Sequence, residues 1–426
     1  MTLLVTRQVE REVEMNQTTE KLSKKSPTRN KLLVTAGVGW LFDALDVGIL
    51  SFVIAALAID WQLSPTQIGW IGSVNSIGMA VGALLCGVLA DRYGRKNIFM
   101  WTLLIFSVAS GLSALTTTLA AFLILRFIIG MGLGGELPVA STLVSESVAA
   151  HERGRIVVLL ESFWAAGWLL AAIISYFIIP TYGWRIALVI TAIPALYAVY
   201  LRVKLPDSKK FETVQKEKRT SVWTNMKNVW HKKYARQTVM LWIVWFMVVF
   251  SYYGMFLWLP SVMVMKGFSL IQSFEYVLVM TLAQLPGYFT AAWLIEKWGR
   301  KRVLSVYLVG TAISALVFGI ATGAVLLVVA GMFLSFFNLG AWGAMYAYTP
   351  ENYPTVIRGT GVGMAASVGR IGGIIGPLLV GSLTASGIAL SFIFGIFAVA
   401  ILIAVVAVIV LGKETKQTEL EDVIQP

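Results

Sequence analysis

Twelve stretches of mostly apolar residues run through this chain, near 32–58, 66–89, 97–116, 119–144, 155–178, 185–202, 238–264, 274–295, 303–322, 324–349, 360–384 and 387–411. A helix of about 20 residues crosses the hydrocarbon core of a bilayer. Inside that core each backbone N–H and C=O must find its partner within the protein, so runs of this length read as spanning helices. The composition agrees: 58% of the 426 residues are hydrophobic and 13% charged, and a mean hydropathy of +0.78 is too high for a water-soluble domain. The expectation is an all-α membrane protein of six plus six helices.

The net charge of +12 would suit a nucleic-acid partner if the basic residues formed a patch on a soluble surface. Instead Lys and Arg crowd the N-terminal tail, the turns after spans two, four, eight and ten, the stretch from Lys204 to Arg236 and the C-terminal tail. The opposite turns at 60–66, 116–119, 322–324 and 384–387 carry none, with Lys266 and Arg185 the nearby exceptions. The positive-inside asymmetry therefore predicts cytoplasmic termini and a cytoplasmic central loop, in a protein of the cytoplasmic membrane. Nucleic-acid binding is not expected. The polar first thirty residues show no cleavable signal peptide. Cys86 is the lone cysteine and His151 and His231 the two histidines, so neither an intramolecular disulfide nor a buried histidine metal site is expected.

A charged signature occurs twice. Asp91-Arg92-Tyr93-Gly94-Arg95-Lys96 returns 205 positions on as Glu296-Lys297-Trp298-Gly299-Arg300-Lys301, and Glu146 with Arg153-Gly154 returns as Glu351 with Arg358-Gly359. Two features sharing one offset make the chain two copies of one membrane half, as alternating-access carriers are built. The implied division is a tail (1–30), a first bundle (31–202), a central loop (203–236), a second bundle (237–411) and a tail (412–426). These turns, with Glu152-Arg-Gly-Arg155, Leu205-Pro-Asp-Ser208 and Lys413-Glu-Thr-Lys416, resemble the signatures of the major facilitator superfamily in its sugar-porter-like branch. The resemblance implies twelve spanning helices in two pseudo-symmetric bundles. It also implies a cytoplasmic gate made by Asp91, Arg92, Arg95, Glu146, Arg153, Glu296, Arg300, Glu351 and Arg358. The plainer reading of these turns is topological anchoring, which would need the cations but not acids at matching positions.

Charges inside the spans carry the function. An ionised residue at mid-membrane costs roughly 2.5–3.5 kcal/mol, yet Asp43, Asp46, Arg126, Glu136, Glu161 and Arg370 all fall there. They must face one another or water. Asp43 and Asp46 share one helix face, and Arg126 lies at the depth of Asp46, so an Asp46–Arg126 pair is expected. Protonation of the acid would weaken such a pair, which makes it a candidate proton switch; a static pair is the alternative, and Asp43 remains an alternative partner. Adding 205 puts Val248, Ser251 and Gly331 in the matching places, so the second half keeps no such pair. Spans nine to twelve carry no acid and span eight only Glu275 at its very start, so none of them offers Arg370 an acid at its depth. It either receives an anionic substrate or pairs across the halves with Asp43 or Glu161. Glu136 and Glu161 either hold helix contacts or line the path.

Aromatic residues gather in the second half: Tyr252, Tyr253 and Trp258 on span seven, and Asn338, Trp342 and Tyr346 at four-residue spacing on span ten, with Gln284 before Pro286 on span eight. Together they favour a flat aromatic ligand. The glycine runs at 130–135 and 361–376 lack a following Lys-Ser/Thr and read as close helix contacts, not phosphate loops. Gly39-Trp-Leu-Phe-Asp-Ala-Leu-Asp-Val-Gly48, Gly134-Gly-Glu136-Leu-Pro138, Phe163-Trp164, Ser251-Tyr-Tyr-Gly254 and Phe337-Asn-Leu-Gly-Ala-Trp342 resemble the bacterial niacin permeases of the superfamily. That resemblance implies import of nicotinate, and of nicotinamide as a further candidate, by proton symport. The implied substrate site is Arg370, Tyr252, Tyr253, Trp258, Gln284, Asn338, Trp342, Trp164, Glu136 and Glu161, with coupling at Asp46, Arg126 and Asp43. Another aromatic acid, a sugar-like solute or drug export are the alternatives. The partners are then an aromatic carboxylate, protons and the bilayer, the expected unit is a monomer, and no cofactor, metal or enzymatic activity is expected.

Overall fold

The computed structural model describes residues 29–93, 95–134, 152–203 and 222–416. In chain order the helices are α1 (Arg29–Asp60), α2 (Pro65–Tyr93), α3 (Arg95–Ser113), α4 (Leu119–Gly134), α5 (Arg153–Val203), α6 (Val222–Val229), α7 (Lys232–Phe256), α8 (Leu259–Met265), α9 (Leu270–Leu282), α10 (Gln284–Trp298), α11 (Arg300–Ile320), α12 (Ala324–Glu351), α13 (Thr355–Ala385) and α14 (Leu390–Leu411). Each expected span falls on a helix, although the part of span four beyond residue 134 lies outside the described residues. By length and composition, eight helical stretches among the described residues suffice to cross a membrane. Spans five and six form one run, α5, broken at Gly183, whose φ of 82° reverses the chain where a side chain would be strained.

Spans seven and eight are each interrupted. Pro260 lies in the first turn of α8, just after α7 ends at Phe256, and Ala283 separates α9 from α10 three residues before Pro286. Two features were not expected from the sequence. The central loop contains α6, and α7 starts at Lys232 rather than near 238. Both follow from local bonds. His231 caps α7, and Thr238 Oγ1 donates to the Val229 carbonyl at 2.9 Å, tying the two helices together.

Small residues set the packing. A Cβ on Gly78, Gly82, Gly130 or Gly134 would meet the backbone of Phe127, Met131, Asn75 or Met79, so α2 and α4 approach at backbone contact. Between halves, α2 lies along α13, α5 along α10 and α12, and α1 meets α8. At the end of the bundle without charged turns the halves are pressed together. Ser73 Oγ donates to the Ile374 carbonyl at 2.7 Å, and an added Cβ on Gly69 would come within 2.8 Å of the Pro377 oxygen. Ser51 Oγ donates to the carbonyl of Phe256, 205 residues on, at 3.4 Å, so equivalent positions of the two halves meet at the seam.

Candidate functional site

Between the halves, near mid-bundle, lies a cavity of about 200 Å³. This is below the roughly 300–1,000 Å³ of drug-sized sites, so it suits a small solute. Ala80, Ala83 and Gly134 line it from the first half, and Trp245, Tyr346, Gly363, Ser367 and Arg370 are among the second-half residues facing them. The half-buried guanidinium of Arg370 touches Tyr253 Oη and Met79 Sδ, each at 3.4 Å, and no described carboxylate forms an ion pair with it. It therefore does not pair with Glu161, one of the two partners considered above, and its charge faces the cavity.

Beside the cavity lies an aromatic cluster drawn from both halves. Trp164 on α5 and Trp342 on α12 are nearly parallel with centroids 6.1 Å apart, and Tyr252 on α7 lies 4.7 Å from Trp342 and accepts a 2.8 Å hydrogen bond from Trp164 Nε1. Trp40 on α1 and Trp245 on α7 each meet Tyr346 edge-on, at 5.8 and 4.9 Å. Behind these rings are fully buried polar groups without hydrogen-bond partners: both amide atoms of Gln284, both of Asn338, the hydroxyls of Tyr288 and Ser335, and one oxygen of Glu161. A buried polar group left unpaired costs about 1–3 kcal/mol, and the concentration of such groups between α5, α10 and α12 makes this the candidate place for a polar ligand. Trp258 stands apart, at the N-cap of α8, and is not in the cavity lining.

The predicted charge pair forms. Arg126 Nη1 lies 3.3 and 3.4 Å from the two oxygens of Asp46, with exposures of 0% and 1%. These contacts are longer than the 2.7–2.9 Å of a tight charge-assisted bond. Arg126 Nε and Nη2 have no partner, and the guanidinium rests 5.2 Å from the Phe122 ring. The pair is held loosely in a dry place. Asp43 is also buried, one turn away on α1.

At the charged end, buried Arg300 grips Glu296 at 2.8 Å and Glu351 at 3.0 Å. Glu296 also accepts the backbone N–H of Arg155 at 3.0 Å, so the start of α5 in the first half docks on a carboxylate of the second. Arg153 is buried and acts electrostatically on Glu351, while Arg358 Nε donates to the Pro350 carbonyl at 3.2 Å. Glu414 accepts from the first N–H groups of α11, Arg300 at 2.8 Å and Lys301 at 3.2 Å, and Thr415 donates to Glu351 at 2.6 Å. The Lys413–Lys416 motif thus belongs to this network. Tyr353, between α12 and α13, donates to Thr238, and burial pushes its hydroxyl up to about 12. Glu136 and Glu146, and the side chains of Asp91, Arg92 and Arg95, lie outside the described residues.

Sequence reasoning missed Tyr288, Ser335, Trp40 and Trp245. Tyr288 follows Gln284 by four residues and Trp40 precedes Asp43 by three, so helical spacing from a chosen residue was the available signal.

The comparisons with known proteins agree with this architecture. A protein 67% identical over 401 residues, covering 94% of this chain and 100% of its own, is the Bacillus subtilis (strain 168) protein named for niacin/nicotinamide transport, NiaP. The niacin transporter NiaP of Acinetobacter baylyi is 47% identical over 92% of this chain and 95% of its own. Among solved structures, the proton:xylose symporter XylE with a bound bromo-deoxyglucose superposes with a TM-score of 0.73 at 19% identity, over 92% of this chain and 97% of that one. The Major Facilitator Superfamily model matches residues 37–285 and 277–424. With matching helices, a cavity between the halves and near-complete coverage by that model, the chain belongs to the Major Facilitator Superfamily, a family of multi-pass membrane transporters and not of enzymes.

Proposed function

We infer that this chain imports niacin, as nicotinate, across the cytoplasmic membrane by proton symport and alternating access. The observation that carries the reading is Arg370: a guanidinium without a carboxylate partner among the described residues, facing a small cavity that adjoins an aromatic cluster. A flat aromatic anion supplies both missing contacts. Its carboxylate neutralises Arg370 and its ring lies against the cluster. The names of the two NiaP relatives support the same solute, and that of the Bacillus protein adds nicotinamide as a second one.

Moving an anion inward against a negative interior costs about 2.3 kcal/mol per 100 mV. One accompanying proton cancels that term. The loosely held Asp46–Arg126 pair is the coupling element of this reading: protonation of Asp46 releases Arg126 and frees α1 to move against α4. The charged turns and both termini face the cytoplasm, as the positive-inside asymmetry supports, and the two bundles, 31–202 and 237–411, rock about the cavity. The gate at Arg300, Glu296 and Arg155 then closes and parts on the cytoplasmic side. Uptake of labelled nicotinate by a niacin-requiring host tests the reading. Expression of the chain should give uptake that a protonophore abolishes, whereas uptake equal to the empty host would refute it.

A further inference from the structure

Glu161 takes no part in the coupling pair or in the gate. It lies on α5 and is fully buried; one oxygen accepts from Trp40 Nε1 at 3.0 Å, the other has no partner, and no described basic residue forms an ion pair with it. Trp342 lies beside it. Among the described residues, the titratable and charged groups that face it are Tyr288 from α10, Tyr346 from α12 and, beyond Tyr346, Arg370 from α13; α1 presents Trp40, with Asp43 one turn on. The carboxyl thus sits where α1, α5, α10 and α12 meet, at the far side of the ring cluster from Arg370.

We propose that Glu161 is a second proton-carrying group, placed in the substrate site itself, so that an aromatic carboxylate binds only after this side chain has taken up a proton. The inference rests on the reading of the chain as a carrier of such an anion. An ionised Glu161 would repel the arriving carboxylate across rings that exclude water, where charges are poorly screened. A proton from the water of the open cavity removes that repulsion, and the neutral acid gains an O–H donor for the acceptor atoms around it. Asp46 and Arg126 govern the motion of helices within the first half. Glu161 instead ties proton uptake to occupancy of the site.

The test is binding of labelled nicotinate to the purified full chain from about pH 6 to 9, where the charge of an aromatic carboxylate is constant. In a plot of log Kd against pH, Glu161→Gln should lose about one unit of slope, a tenfold change per pH unit, while Glu161→Asp keeps it. An unchanged slope in Glu161→Gln overturns the proposal. Should that variant fail to fold, Trp40→Phe decides. It removes the N–H that favours the ionised carboxylate, so the midpoint of the pH dependence should move upward, and a midpoint that stays in place contradicts the proposal. If nicotinate does not bind the unaltered chain at any pH, the substrate reading fails instead.

Discussion

The two halves share one scaffold and fill it differently. In the first half Asp46 and Arg126 face each other with almost no exposure. At the same places in the second half, Ser251 Oγ donates to the Phe397 carbonyl at 3.4 Å, and Gly331 is covered by the thioether of Met280. A charge pair has become packing. Gly154 is so close to Arg300 and Glu296 that an added Cβ would come within 2.7 and 2.8 Å of them, whereas around its repeat mate Gly359 no described atom would lie within 4 Å. Among the described residues the charged end is latched along α5 and α10. Duplication supplied the frame; in the proposed mechanism the divergence assigns proton chemistry to one bundle and anion recognition to the other.

Substitutions at matching positions sharpen or break this contrast. The largest effect should come from Arg126→Ala, which strands Asp46 in a dry core at a cost of roughly 3–5 kcal/mol. Thermal unfolding in detergent should show that loss, and uptake into proteoliposomes an end to proton-driven accumulation. Its counterpart Gly331→Ala need only displace the flexible Met280 side chain, for about 1 kcal/mol and with transport retained. Equal losses in both would show that the halves do not divide the work. Next in size, Arg370→Gln should weaken nicotinate binding by about 10- to 100-fold, matching the roughly 1.5–3 kcal/mol of a charged hydrogen bond. A competing neutral amide should lose less.

Asn338→Leu separates stability from function. Both polar atoms of its amide are buried without partners, so an apolar replacement should stabilise the fold by about 1 kcal/mol and cost nicotinate affinity about tenfold, read by calorimetry and competition binding. The smallest effect concerns the ends. Gly359→Ala should be neutral or stabilising by up to about 1 kcal/mol through helix propensity, while Gly154→Ala should lower the melting temperature and slow uptake. Matching behaviour of the two would show that Gly359 is packed against the facing half as Gly154 is.

Much of this was legible in the sequence. Apolar length fixed the helices, and depth counted along α1 and α4 placed Asp46 against Arg126. With Glu275, at the edge of span eight, the sole acid in spans eight to twelve, Arg370 stood out as a cation without a partner at its depth. What remained hidden depends on side-chain direction and on contacts between distant segments. Glu161 reads equally as a helix contact or as part of the path, and the bond it accepts from Trp40, 121 residues away, is one that no spacing in the sequence records. The role of Glu414 at the start of α11 and the short helix α6 depend on tertiary bonds that no periodicity records. Trp258, grouped with the ligand aromatics by proximity in sequence, lies beyond the break between α7 and α8, where the chain turns away from the cavity lining.

The central claim is that a proton gradient drives nicotinate through this chain by way of the Asp46–Arg126 pair. It is met most directly by loading proteoliposomes of the unaltered chain and of Asp46→Asn with labelled nicotinate under an inward proton gradient. The account predicts accumulation above the external concentration for the unaltered chain, and mere equilibration for the variant, with exchange of internal for external nicotinate preserved. Accumulation by Asp46→Asn equal to that of the unaltered chain would contradict it.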